Sequence, residues 1–195
     1  VLIILFSAFQ RLSLYEAAYG FSRLRATAHV FMLWLAALLI AAAVLQAVSR
    51  PRAFWLAALL ALFGFGATLG LLNVDAFIVR QNVQRAQAGS PLDVPYLVSL
   101  SADAVPALTR TFTDASLDAS VREGAGAALA CRVLPKAAVP ERVRSWQSFH
   151  FADTADRRAL QQLEPDLAGY SLASGTDLPR VLAPSGAQYD CISVD

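Results

Sequence analysis

At 195 residues, 56% hydrophobic and 16% charged, the chain carries fewer ionisable groups than the roughly 25% usual in a soluble domain. Its net charge of +1 hides a split. Residues 1–72 hold five Arg and one acid, a net of +4, whereas residues 73–195 hold 11 basic and 14 acidic residues, a net of −3. Neither part has a Lys/Arg stripe with interleaved aromatics, which argues against a nucleic-acid partner and leaves the lipid bilayer as the expected surroundings.

The chain opens on the apolar run Val1-Leu-Ile-Ile-Leu-Phe6, with no charged n-region and no small-residue cleavage site of a signal peptide. Residues 1–9 read as the end of a spanning helix that begins upstream, and residues 10–26 as an interfacial amphipathic connector. Residues 27–48 and 53–72 contain no Asp, Glu, Lys or Arg. Each run is about the 20 residues needed to cross a bilayer core, and a central charge there would cost several kcal/mol (about 3 on insertion scales). Trp34 and Trp55 lie near the ends of their runs, where amphipathic rings favour the interface. Ser49-Arg-Pro-Arg52 leaves room only for a tight antiparallel hairpin.

The second run holds Gly64, Gly66 and Gly70, and Gly66-Ala-Thr-Leu-Gly70 is a GxxxG, whose small residues let helix backbones approach closely in lipid. This stripe either packs on the first span around Ala37, Ala41 and Ala42, the simpler reading, or docks another subunit. The hairpin puts the connector and everything after residue 72 on one side. Arg11, Arg23, Arg25, Arg80 and Arg85 lie near the membrane there, against Arg50 and Arg52 at the tip. The positive-inside bias then places the C-terminal region in the cytoplasm.

Residues 73–168 read as a small helical extramembrane domain. Asn73 or Asp75 caps a helix running to about Ala88, stopped by Gly89 and Pro91. Asp93 and Asp103 are expected to cap the next two, with Pro95 and Pro106 in first turns. Residues 117–133 align Leu117, Val121, Ala125, Ala128 and Leu129 on one face, although Gly124 and Gly126 each cost about 1 kcal/mol against Ala. Asp153 and Asp156 open a further helix ending before Pro165. No alternating β-branched run predicts a sheet, and residues 169–195 read as an irregular tail. Cys131 and Cys191, with no CxxC spacing, are expected as two thiols; a disulfide would require export.

Arg11-Leu-Ser-Leu-Tyr-Glu-Ala-Ala-Tyr-Gly-Phe-Ser-Arg-Leu-Arg25, Phe31-Met-Leu-Trp34 and Asn73-Val-Asp-Ala-Phe-Ile-Val-Arg-Gln-Asn82 together resemble the C-terminal part of an uncharacterised bacterial inner-membrane family, domain of unknown function four-one-seven-three. The run from Leu92-Asp-Val-Pro-Tyr to Ala107-Leu108 and the Trp146-Gln-Ser stretch resemble it too, so that the likeness covers roughly residues 10–165. The resemblance implies a multi-pass protein of the cytoplasmic membrane with more helices upstream, and it implies no activity.

Two polar groups stand out. Arg11, Tyr15, Glu16, Tyr19, Arg23 and Arg25 read as an interfacial cluster in which Glu16 neutralises an Arg; a lipid headgroup or an acidic partner is the alternative. Asn73, Asp75, Arg80 and Asn82 at the exit of the second span are placed to join it as an ion-pair knot, with a substrate or ion site as the alternative. Transport usually needs ionisable groups within the membrane, and toward that the spans offer only His29 and the amide of Gln46, near their ends. His29 and His150 are the only histidines; no zinc-ligand spacing, nucleophile elbow or phosphate loop is present, so no metal, cofactor or catalytic residue is expected. The expected fold is all-α: the end of a spanning helix, a transmembrane hairpin and a small soluble helical domain. The expected function is a non-catalytic accessory or scaffolding subunit of a larger membrane complex; the alternative is the C-terminal part of a transporter or signalling protein with its centre upstream.

Overall fold

The structure is a computed structural model that describes residues 1–137, 163, 165–173 and 179–191. It divides into two compact units, Val1–Ile78 and Val79–Asp195. The helix expected from Asp153 and Asp156, the Trp146-Gln-Ser stretch and His150 lie outside the described residues.

In the first unit, α1 (Leu2–Tyr19) runs as one helix across the expected junction at residues 9 and 10. It stops at Gly20, whose φ of 87° suits a residue without Cβ, and the Arg25 guanidinium donates to the Gly20 carbonyl at 2.6 Å. Next come α2 (Arg23–Ala47), a 3₁₀ turn (Pro51–Ala53) and α3 (Phe54–Leu71). The chain reverses through residues 48–50, with Ser49 at φ 56° and Pro51 in the first turn, where its missing N–H costs nothing. Among the described residues, two helical stretches, Arg23–Ala47 and Pro51–Leu71, are long and apolar enough to cross a membrane. Leu56, Leu60, Leu62 and Phe63 are exposed on α3, as Phe31, Leu33 and Ile40 are on α2. An apolar surface of this extent marks contact with lipid or with other helices.

The helix α4 (Val74–Gln87) begins at Asn73, whose side-chain oxygen accepts from the Ala76 amide at 2.8 Å. It ends before Gly89, at φ 93°. In the second unit Asp93 caps α5 (Val94–Ser99) through the Tyr96 amide at 3.1 Å. Asp103 does not cap the following helix. Ser101 instead caps a 3₁₀ turn (Ala102–Ala104) that contains Asp103 and leads directly into α6 (Val105–Thr113). Val94, Leu97, Val105 and Leu108 bury themselves with Val121, Ala125, Ala128 and Leu129 of α7 (Ala119–Ala137). Arg132 of α7 donates to the carbonyls of Leu97, Val98, Leu100 and Ser101 at 2.8–3.3 Å, setting a positive charge against the carbonyls at and just after the end of α5.

The expectation of an all-helical domain with an irregular tail is corrected by a three-stranded antiparallel sheet: β1 (Ser171–Leu172), β2 (Arg180–Leu182) and β3 (Gln188–Asp190), in the order β1-β2-β3. Leu172 pairs with Val181, and Val181 with Tyr189. Strands this short escape any test of alternation, and they hold only through what they pack on. That support is α7. The Glu123 carboxylate accepts from Ser185 Oγ at 2.6 Å and Tyr189 Oη at 3.3 Å, and the Tyr170 hydroxyl donates to the Glu123 carbonyl at 3.0 Å. The glycines of α7 now have their reason. A Cβ on Gly126 would lie 2.2 Å from the Tyr170 hydroxyl, and one on Gly124 would lie 2.9 Å from Leu92. Cys131 and Cys191 form a disulfide, not the expected pair of thiols.

Burial pushes the Tyr170 phenol up to about 12, with the Glu123 carboxylate acting in the same direction. A phenol whose pKa is raised on folding from an ordinary value of about 10 binds its proton more tightly when folded. Its stabilising effect is therefore complete below pH about 10 and lost as the pH climbs through about 12. Thermal midpoints measured between those values are expected to fall more steeply for the native chain than for Tyr170→Phe.

Candidate functional site

The polar groups of the first unit gather where α1 ends, α2 begins and α4 begins. Ser13 and Glu16 stand three residues apart on α1, on one face of the helix. Glu16 is only 3% exposed. Its expected partner among the arginines is replaced by His29 of α2, whose Nδ1 lies 3.2 Å from Glu16 Oε1. On the other side of the ring, His29 Nε2 is 3.2 Å from Ser13 Oγ, and Phe9 meets the imidazole edge to face at 4.5 Å.

The order hydroxyl–imidazole–carboxylate is that of a nucleophile relay, but the surroundings differ. Ser13 sits within α1, where the backbone amides are used in the helix and not free to hold an oxyanion. Its hydroxyl donates to the Phe9 carbonyl at 3.0 Å. The direction of its contact with His29 Nε2 depends on the imidazole tautomer. Glu16 Oε1 has no hydrogen-bond partner among the described residues, so the contact with His29 is one of proximity between a buried carboxyl and an imidazole.

Arg23 instead grips Asp75, which is 5% exposed, in a two-point pair: Nε donates to Oδ1 at 2.6 Å and Nη2 donates to Oδ2. This fork-to-fork geometry joins the start of α2 to the start of α4, beside an edge-to-face contact of Phe21 with Phe77 at 5.8 Å. Part of the expected ion-pair knot is therefore present. Arg25 lies over the Tyr15 ring at 5.6 Å, and Tyr15 and Tyr19 stack one turn apart at 4.8 Å. Arg11, Tyr15, Tyr19, Asn73 and Arg80 are exposed. Sequence reasoning named Glu16 but missed Ser13 and assigned no role to His29 beyond its place at a span end. The available signal was that His29 is the only ionisable residue within residues 27–48.

The glycine stripe separates into two. A Cβ on Gly64 would fall 2.0 Å from the Trp34 ring, which donates through Nε1 to Thr68 Oγ1 at 3.1 Å; Thr68 in turn donates to the Gly64 carbonyl at 2.7 Å. Gly66 and Gly70 have nothing within 4 Å of that position. The expectation that the whole stripe packs on the first span is thus corrected: Gly64 does, and Gly66 and Gly70 do not. Gly64→Ala is expected to lower hairpin stability by about 1–3 kcal/mol, because the Trp34 ring must leave its place. Gly66→Ala and Gly70→Ala are expected to leave the thermal midpoint in detergent unchanged or raised.

Among the described residues, no three His, Cys, Asp or Glu side chains converge as a metal site would need. The family described as Domain of unknown function (DUF4153) matches residues 1–111, more than half of the chain, from α1 to near the end of α6. It is an uncharacterised domain family, as the resemblance implied, under a different number from the one expected, and α7 and the sheet lie beyond the matched residues. No curated protein and no solved structure matches the chain. The chain, with its two membrane-length helices and its buried Glu16–His29 pair, belongs to the DUF4153 family of unknown function.

Proposed function

We propose that this chain is an integral protein of the bacterial cytoplasmic membrane that acts without catalysis, as an accessory or scaffolding subunit of a larger membrane complex. The supporting observation is the face of α3 at Gly66 and Gly70, which no residue of the described chain covers. A bare helix backbone one turn long is poorly used against lipid tails and well used against a second helix. The partner is a helix of another membrane protein, seated on this face by small-residue packing. Gly66→Leu and Gly70→Leu are expected to remove the partner band on native gels while leaving the hairpin's thermal midpoint in detergent near that of the native chain. Variants that keep the band, or a native chain that never shows one, would overturn the reading.

A second reading is favoured by one observation, the buried Glu16 carboxyl facing the His29 imidazole at 3.2 Å. Buried ionisable pairs in membrane proteins often mark proton paths. On that reading the protein couples proton binding to transport or signalling. Glu16→Gln would abolish a pH-dependent response and leave assembly intact, whereas a purely structural pair would lose stability alone.

A further inference from the structure

We infer that the region following α3 faces the exported, oxidising side of the membrane, opposite to the side that the arginine count favours. The inference rests on the reading that α2 and α3 cross the membrane, and not on partner association. Its basis is the disulfide between Cys131 of α7 and Cys191, directly after β3, which closes a loop of 60 residues. Both cysteines are buried, at 7% and 4% exposure. Forming the bond takes two electrons and two protons from the two thiols; the acceptor is a disulfide oxidant of the exported compartment, which becomes a dithiol by exchange. The cytoplasm maintains the reverse balance, so that structural disulfides are rare there.

The sheet has particular need of the bond. Strands of two and three residues carry few ladder hydrogen bonds, and beside its packing and the hydrogen bonds around Glu123 the sheet is tied to α7 covalently, at the disulfide. In a reducing compartment the covalent tie would be absent. The arginine bias is a statistical tendency of short loops, and the hairpin tip has its own two arginines, Arg50 and Arg52, in four residues without an acid. They become the cytoplasmic anchor. On that orientation the Glu16–His29 pair, near the end of α1 and the start of α2, lies at the exported end of the hairpin.

The test uses the full chain in cells with a permeable outer envelope and a membrane-impermeant maleimide. Acid-quenched, denatured native chain is expected to take up alkyl groups on Cys131 and Cys191 only after reduction. Ala115→Cys, in the exposed turn before α7, is expected to react in intact cells, and Ser49→Cys at the tip only after lysis. The opposite labelling pattern, or two thiols that alkylate without reduction, overturns the inference. Reaction of both positions in intact cells overturns it differently, by showing that the hairpin does not cross the membrane.

Discussion

Replacing Cys131 and Cys191 by Ser is expected to destabilise the second unit by about 4 kcal/mol. The figure is the chain-entropy value for a closed loop of 60 residues. The loss should concentrate where few other ties exist. Hydrogen exchange in β1, β2 and β3 is expected to rise toward that of an open chain, while the amides of α6 stay protected. Leu97, Leu108 and Leu129 are buried on α5, α6 and α7, which pack on one another. Reduction of the native chain should reproduce the result without any substitution. Equal loss of protection in the sheet and in α6 would show instead that the unit folds as one cooperative block.

Arg23→Ala is expected to cost about 2–3 kcal/mol, the next largest effect of a side-chain change. It removes two charge-assisted hydrogen bonds from a carboxylate that is 5% exposed, and a buried acceptor deprived of a charged donor bears most of its desolvation cost. The figure sits below that for a fully buried pair, because the Arg23 side chain is 50% exposed and solvent screens it. Asp75→Asn should cost less, since the guanidinium it leaves behind can hydrate. The double variant should cost less than the sum of the singles. A double-mutant cycle on thermal midpoints in detergent measures the coupling, and additive effects would show that the pair does not join α2 to α4 energetically.

The hairpin was legible in the sequence because a charge-free run of membrane length is a long signal, spread over some twenty residues (about the length that crosses a bilayer core). The stops of α4 were legible for the opposite reason: Asn73 and Gly89 act locally, through a cap and a positive φ. The sheet was not. Its strands are too short for alternation to register, and only the turn at Pro184-Ser-Gly186, with Gly186 at φ 88°, hints at a hairpin. Nor could Cys131 and Cys191 be paired from spacing, because the decision belongs to the compartment.

The candidate site was half legible. Glu16 stood out as the one acid in the first 72 residues, but its partner follows 13 residues later across a turn, on another helix, where no local rule of spacing applies. The GxxxG motif announced close helix approach, yet it could not reveal that Trp34 occupies Gly64 and leaves Gly66 and Gly70 bare. Asp103 shows the same limit on a smaller scale. Its spacing before Pro106 suited a cap, but Ser101 reached the turn first.

The central claim, that the protein acts by association within the membrane, is tested most directly by gentle detergent extraction from native membranes, native-gel separation and mass spectrometry of what co-migrates. A defined partner in fixed stoichiometry, lost in Gly66→Leu, is the predicted result. A native chain that migrates alone, at the mass of one copy, would contradict it and turn attention to the buried Glu16–His29 pair.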